Sequence, residues 1–338
     1  MILTYRTRQA VRKLFRGLLV LVLLLAVALV CFAVWLRRFV VYTPEGVRLD
    51  LSIGSVGVPG KLPSRPAQLD VNLELVHPEA SQPDAPVEQP RLDGYYLDME
   101  MVKSDIAGLR EKLAALPAGT AVLLDVKNFW GYFYYSTHLG PTSDAYLLAE
   151  MDALIDQLAN SQLYLIARLP ALRDYEYAKS NTSSGLPTSK GYLWTDERGC
   201  YWLDPTEDDT LTHLINVAKE LRDLGFDEVV FQDFYVPVSN KIVFSENRQR
   251  AIEAAIQTLV TACATDRFAV SFVGYIPELT LPEGNCRLYL EQVAAAQVQD
   301  VLARVTVTDK LGKVVFLAET NDTRYDVCGT LRPLDLAH

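Results

Sequence analysis

The chain has 338 residues, half of them apolar and 22% charged, so a substantial packed core is expected and general disorder is excluded. At roughly 150 residues per domain, the length fits two domains or one large barrel with an appendage. The formal charge is −10, yet residues 1–41 carry seven basic side chains and no acid, leaving 25 basic against 42 acidic residues in the remainder. So acidic a remainder repels phosphate backbones and argues against a nucleic-acid partner.

Residues 1–16 form a basic tail holding Arg6, Arg8, Arg12, Lys13 and Arg16. Gly17 to Leu36 follows, twenty residues without a charge and mostly Leu, Val and Ala. At about 1.5 Å per residue, such a run crosses the roughly 30 Å hydrocarbon core of a bilayer. The positive excess on its N-terminal side predicts a single-pass transmembrane helix with a cytoplasmic N-terminus and an exported C-terminal domain, hence a cell-membrane location. A cleaved signal peptide is the competing reading. The run is long for one, and it ends in Trp35-Leu36-Arg37-Arg38 rather than a small-x-small site.

Residues 37–91 read as an extracytoplasmic spacer. Seven of the seventeen prolines fall within residues 52–91, which favours a stiff, extended connector. Leu69 to Leu75 alternates apolar and polar residues and predicts one strand there.

From residue 92 the pattern becomes strand, then helix, repeatedly. Expected strands are Tyr95–Met99, Ala121–Val126, Leu163–Arg168, Glu228–Asp233, Phe268–Val273, Arg287–Glu291 and Val314–Ala318. Most are apolar on both faces, as strands between a filled interior and an outer helical layer must be. Ser143 is the expected cap of a helix burying Leu147, Met151, Leu154, Ile155 and Leu158. A second stripe is Leu211, Leu214, Ile215, Ala218 and Leu221, stopped by Gly225. Ser245 precedes a third, with Ile252, Ile256, Leu259 and Val260 inward. The fold class is therefore α/β, a (β/α)8 TIM-like barrel over residues 92–338. Its eighth strand would come from residues 47–76 or 303–309, or be absent. An open doubly wound sheet is the runner-up, and it lacks a phosphate-binding fingerprint here.

In such a barrel the chemistry lies where strands end. Those ends carry Asp98 and Glu100, Asp125 and Lys127, Arg168 and Asp174, Gln232 and Asp233, Glu291, and Glu319 with Asp322 beyond. Charged groups after apolar runs are costly to bury unless paired, so an internal ion network of Asp125, Lys127 and Arg168 competes with catalysis. Phe129-Trp130-Gly131-Tyr132-Phe133-Tyr134-Tyr135 places six aromatics in seven positions after the second strand. Tyr192, Trp194, Tyr201 and Trp202 follow the third, and Phe234 and Tyr235 the fourth. Flat aromatic faces beside carboxylates suit a sugar chain, although aromatics also pack under loops. The sequence contains no CxxC, no HExxH and no histidine pair at ligand spacing, so neither a metal nor a cofactor is expected. Cys200, Cys263, Cys286 and Cys328 allow three disulfide pairings, or remain buried thiols.

Four segments in order resemble a known family: Ala121–Gly131 (AVLLDVKNFWG), Leu165–Asp174 (LIARLPALRD), Gly191–Pro205 (GYLWTDERGCYWLDP) and Gly225–Pro237 (GFDEVVFQDFYVP). Together they are similar to the "putative glycoside hydrolase" family of bacterial TIM-barrel proteins, many membrane-anchored or secreted. Val41–Leu51 also resembles the lead-in of clostridial members. The likeness covers roughly residues 92–275. It implies a barrel with a carbohydrate cleft, and so a polysaccharide or glycan partner beside the membrane. Asp125 and Lys127 match the family's Asp-x-Lys, Arg168 and Asp174 its Ala-Arg…Asp, and Trp202 and Asp204 its Trp-x-Asp-Pro. The fourth strand departs from the commonest form, Phe-Asp-Tyr-x-Arg-Phe-Pro. Here it reads Phe231-Gln232-Asp233-Phe234-Tyr235-Val236-Pro237, with the carboxylate one place later. Ser271 stands where an acid is expected on the fifth strand.

Glycoside hydrolysis requires two carboxyl groups flanking the bond. The expected assignment is Asp233 as acid/base with Glu291 or Glu319 as partner. Asp125, Lys127, Trp130, Arg168, Asp174, Trp194, Trp202, Asp204 and Tyr235 are expected to bind substrate. Two other functions compete: a non-catalytic glycan-binding or envelope scaffold on a degenerate barrel, indicated by Gln232, Tyr235 and Ser271, and a protein-partner role at the envelope. The sequence has no GxSxG signature for serine-hydrolase chemistry.

Overall fold

The computed structural model describes residues 40–43, 46–49, 89–97, 99–274 and 279–334. The expected transmembrane helix at 17–36 and the strand at 69–75 lie outside these residues. Among the described residues, no helix is long and apolar enough to cross a membrane. The chain divides into two units, Met1–Glu79 and Ala80–His338. In the first, β1 (Val40–Thr43) and β2 (Gly46–Leu49) pair antiparallel, with Thr43 opposite Gly46.

The second unit holds a closed parallel barrel. Its strands are β3 (Asp93–Leu97), β4 (Ala121–Asp125), β5 (Tyr164–Pro170), β6 (Glu228–Gln232), β7 (Ala269–Val273), β8 (Leu288–Leu290), β9 (Val314–Leu317) and β10 (Gly329–Pro333). They neighbour one another in chain order, and β10 closes the ring against β3 and β9.

Alternate residues separate into two apolar clusters, as the period-2 geometry of strands requires. Leu123, Ile166, Val230, Val273, Tyr289, Val315, Leu317 and Leu331 fill the interior. Val122, Leu124, Leu165, Ala167, Val229, Phe231, Val270, Phe272, Leu288 and Phe316 face the outer layer. There they meet the helices Ala145–Ala159, Asp208–Asp223 and Arg248–Cys263, which bury the apolar sides expected of them. In Asp208–Asp223 the stripe turns slightly, so that His213 and Val217 are buried while the expected Leu211 and Ile215 are only half-buried.

Several expectations are corrected. The eighth strand comes neither from 47–76 nor from 303–309. Gly329–Pro333 supplies it, a Gly-Thr-Leu-Arg-Pro run whose mixed composition gives almost no strand signal. Tertiary bonds hold it in place: Thr330 Oγ1 donates to Tyr325 O at 2.9 Å, and Arg332 pairs with Asp326 at 2.7 Å. The first strand begins two residues earlier than Tyr95, at Asp93. Asp144 rather than Ser143 caps Ala145–Ala159, accepting from Leu147 N at 3.1 Å. Asn247 caps Arg248–Cys263 likewise. Gly225 follows the Asp208–Asp223 helix at φ +93°, the left-handed conformation glycine adopts without strain.

Gly94 faces Ala121 so closely that an added Cβ would strike the Ala121 backbone. Gly94→Ala is therefore expected to cost at least about 1–3 kcal/mol, measured by urea unfolding, because β3 must move off β4. An unchanged midpoint would show that β3 can shift freely.

The N-terminal end of the interior is polar and closed to water. Glu228 accepts from Arg287 Nη1 at 2.7 Å, from Tyr164 Oη at 3.0 Å and from Ser271 Oγ. Arg287 Nε donates to Gly312 O at 3.1 Å. Ser271 thus sits a full layer below the mouth, bonded to Glu228. On the fifth strand, where an acid is expected, the chain thus carries a hydroxyl turned to Glu228.

Candidate active site

The interior positions at the C-terminal ends of the strands carry one connected polar network. Asp125 ends β4, Arg168 lies on β5 beside it in register, Gln232 ends β6, and Glu291 directly follows β8. Arg168 donates to both oxygens of Asp125, Nε at 2.6 Å and Nη2 at 3.0 Å. Its Nη1 donates to Glu291 Oε1 at 2.7 Å. Gln232 Nε2 donates to Glu291 Oε2 at 2.9 Å. Both Glu291 oxygens are thus acceptors, the bonding pattern of a carboxylate.

Burial works against the Arg168 charge, but the Asp125 and Glu291 carboxylates outweigh it and raise the guanidinium pKa. Asp125 and Glu291 stand on strands four places apart in a ring of eight, so this bridge spans the mouth. The side chains of Arg168, Asp125 and Glu291 remain 13%, 21% and 14% exposed, open enough for a ligand to reach them.

Two non-glycine residues among those described have left-handed backbones: Asp233 at φ +51° and Gln292 at φ +56°. Each follows a member of the network, Gln232 or Glu291. Such a conformation is uncommon outside glycine and concentrates at functional sites. Asp233 therefore leaves the strand geometry at the mouth, beside Gln232. Glu319 lies apart, exposed in the wall of a groove of about 700 Å³ that begins at Gln292. Among the described residues, no ion pair or hydrogen bond joins it to the Arg168 network.

Several other expected substrate contacts are engaged by partners within the protein. Lys127 Nζ lies 2.5 Å from Asp174 and donates to Pro170 O at 3.2 Å. Both side chains are at most 2% exposed. Asp174 also caps the helix Tyr175–Ser180 through Tyr177 N. This pair ties the loop after β4 to the helix after β5, beneath the surface. Trp202 is buried and donates from Nε1 to Asp196 at 3.1 Å. Asp204 accepts from Thr206 N and Oγ1, closing a turn. Trp194 packs half-buried on the outer core. By contrast, Trp130 is exposed, and Tyr235 is half-buried against Trp202, with ring centroids 4.8 Å apart.

Sequence reasoning missed Arg173 and Asp196. Their 2.5 Å pair, with Arg173 over the Phe129 ring, organises the loop after β5. Only its position after a strand could have singled Arg173 out. The four cysteines outside residues 17–36 are buried free thiols, and burial pushes the Cys200 thiol up to about 12. They offer no activated nucleophile.

His213 borders the Lys127–Asp174 pair, stacked on Tyr177 with centroids 3.9 Å apart. Its Nε2 has no hydrogen-bond partner among the described residues. Burial, then Lys127, push its pKa down to about 4, which Asp174 at 4.0 Å only partly offsets. The folded state thus favours neutral imidazole. Its stabilising effect is complete above about pH 6.5, where unfolded histidine is also neutral, and is lost as pH falls towards 4. The loss is expected to reach about 3 kcal/mol in urea titrations, and His213→Phe should flatten this window. A wild-type curve flat between those pH values would contradict it.

Residues 110–271 match the family described as "Putative glycosyl hydrolase domain". The matched segment holds β4, β5 and β6, the strands that supply Asp125, Arg168 and Gln232 and lead into Asp233, and ends within β7. No curated protein matches the chain significantly.

Solved structures are similar in fold. The galactosidase domain of the α-galactosidase–sucrose kinase AgaSK is 8% identical with a TM-score of 0.52, covering 74% of this chain and 38% of that one. A hypothetical protein from Ruminiclostridium thermocellum is 21% identical over 52% of this chain and 96% of its own, with a TM-score of 0.44. The GH36 α-galactosidase AgaA from Geobacillus stearothermophilus is 12% identical with a TM-score of 0.47, covering 75% of this chain and 39% of that one. The chain thus spans well under half the length of these two α-galactosidases.

Proposed function

We propose that the barrel is a glycoside hydrolase whose mouth cleaves a cell-envelope or extracellular polysaccharide by carboxylate acid/base chemistry. The observation that supports it most is the Asp125–Arg168–Glu291 bridge at the C-terminal mouth, with Asp233 beside it on strained backbone. The family match over residues 110–271 supports the same reading.

In this account Glu291 acts as the carboxylate, on the sugar carbon directly or through water. Asp233 donates a proton to the leaving oxygen. Where Glu291 attacks the carbon directly, Asp233 recovers a proton from the water that later releases the sugar; where Glu291 acts through water, Glu291 takes that proton itself. Arg168 and Gln232 orient Glu291, and Asp125 orients Arg168 from the other side. A carboxyl separation of about 5–5.5 Å would give retention of anomeric configuration, and about 6.5–9.5 Å inversion. Residues 17–36 would anchor the chain in the membrane, with residues 37–91 as spacer and the barrel outside the cell.

A second reading rests on Gln232. Where the family's commonest form places an acid, this chain presents an amide to the mouth, which suits a barrel that binds glycan without cutting it. Incubation with envelope polysaccharides separates the two. Hydrolysis predicts new reducing ends from the wild-type chain, reduced about 10²–10⁴-fold by Asp233→Asn. Retention on the glycan without new ends would establish the binder, and equal activity in Asp233→Asn would remove Asp233 from the chemistry.

A further inference from the structure

The mouth has two surfaces that the carboxylate chemistry does not use, and they lie on opposite sides of it. Over β4 and β5 runs an aromatic band. Exposed Trp130 meets Tyr175 edge-on at 5.5 Å, and Tyr175 stacks on Tyr201 at 4.9 Å with planes 10° apart. Next in the chain, Trp202 meets Tyr235 at 4.8 Å. Tyr235 lies near enough to Asp233 that the carboxylate, after burial, raises its pKa. Trp202 is buried beneath the band, so the faces open to a sugar are those of Trp130, Tyr175, Tyr201 and Tyr235, the last beside the proposed acid.

Over β8 and β9 lies the groove of about 700 Å³, bordered by Gln292, Ala294, Ala295, Glu319, Asn321 and Tyr325. That size falls within the range of small-ligand clefts. Tyr325 Oη donates to Val293 O at 2.6 Å and fixes the two loops to each other, so the groove is preformed. It begins one residue after Glu291. In the ring, β8 and β9 stand four places from β4 and β5, so band and groove face each other across Asp233 and Glu291.

We propose that these surfaces are two halves of one cleft holding a linear, non-acidic polysaccharide across the mouth, so that bonds are cut inside the chain rather than at its end. A pocket for a terminal sugar needs one walled side; here sugar-compatible surface continues on both. The charge selects the polymer class. At the centre of the mouth Asp125, Asp233, Glu291 and Glu319 outnumber Arg168, while the outlying cations Arg173, Lys179 and Arg324 are each paired with an acid, Asp196, Glu176 and Asp322. A polyuronate would meet this net negative charge where its bond must be cut.

This inference rests on the hydrolase reading for its cutting pattern, but not for its binding pattern. The test uses the full chain in detergent with end-labelled β-1,4-glucan, α-1,4-glucan, chitosan and polygalacturonate. Internal cutting predicts that the molar mass of at least one of the first three falls well before monosaccharide appears, with polygalacturonate untouched. Trp130→Ala and Ala294→Trp, one on each half, should raise the KM at least tenfold for an octamer and less for a dimer. Stepwise release of monosaccharide, a penalty independent of length, or cleavage of polygalacturonate would overturn the cleft while leaving hydrolysis intact. Were no polymer cut, hydrolysis would fall and gel retardation would decide the cleft. Retention that grows with polymer length and weakens in both variants keeps it as a binding site, and no retention overturns it.

Discussion

Arg287→Leu is expected to lower the unfolding free energy by about 3–5 kcal/mol, the largest stability loss of any single substitution considered. The Arg287 and Glu228 side chains are 3% and 0% exposed, and their 2.7 Å pair is enclosed by Tyr164, Ser271 and Tyr289. Removing the guanidinium leaves the Glu228 carboxylate in an interior that water does not reach, with two hydroxyl donors in place of a counter-charge. The penalty comes from the abandoned charge and not from the strength of the pair; replacing both partners by apolar residues of similar volume is expected to cost far less. Thermal unfolding should show a fall on the order of 10 °C for the single variant. A loss below about 1 kcal/mol would mean that water enters the base of the barrel.

Arg168→Leu should do the reverse, sparing the fold and removing the function. Arg168 also stands between two carboxylates, but those side chains keep 14–21% exposure and can recruit water when it is lost. The stability loss should therefore stay below that of Arg287→Leu. Hydrolysis should fall by about 10²–10³-fold, because Glu291 loses the donor that aims it and two negative groups are left facing each other across the mouth. Arg168→Lys should not restore activity: a single ammonium cannot donate in parallel to both Asp125 oxygens while reaching Glu291. Full rescue by lysine would reduce the role of Arg168 to charge alone. The contrast separates two ion networks, one closed at the base of the barrel, the other open at the proposed catalytic mouth.

The barrel was legible because its strands are apolar on both faces, a demand that only burial between a filled interior and outer helices makes. Runs such as Ala121–Leu124 and Val229–Phe231 announce themselves. Gly329–Pro333 does not, since its strand pairing is imposed by neighbours on both sides and by Thr330 and Arg332, none of which local composition encodes. The polar network at the C-terminal mouth was legible from the positions of Asp125, Arg168 and Glu291 at strand ends. Depth was not. Lys127 and Asp174 sit in the same kind of position as Asp125, yet one turn of loop carries them under the surface, where they pair with each other. Ser271 gives no such depth signal either: it stands opposite Val230 in the middle of β7, and its hydroxyl is turned down to Glu228. The left-handed backbones of Asp233 and Gln292 had no sequence signal at all: neither residue type demands that conformation, and the loops that impose it are tertiary.

The most direct measurement is the position of a bound sugar. Crystals of the Asp233→Asn chain grown with oligosaccharides from a polymer that the wild type cleaves should show a pyranose ring over Arg168, between residue 233 and Glu291, with further rings extending towards Trp130 and Ala294. Sugar bound at any other place on the barrel, with the Arg168 bridge left to solvent, would contradict the account.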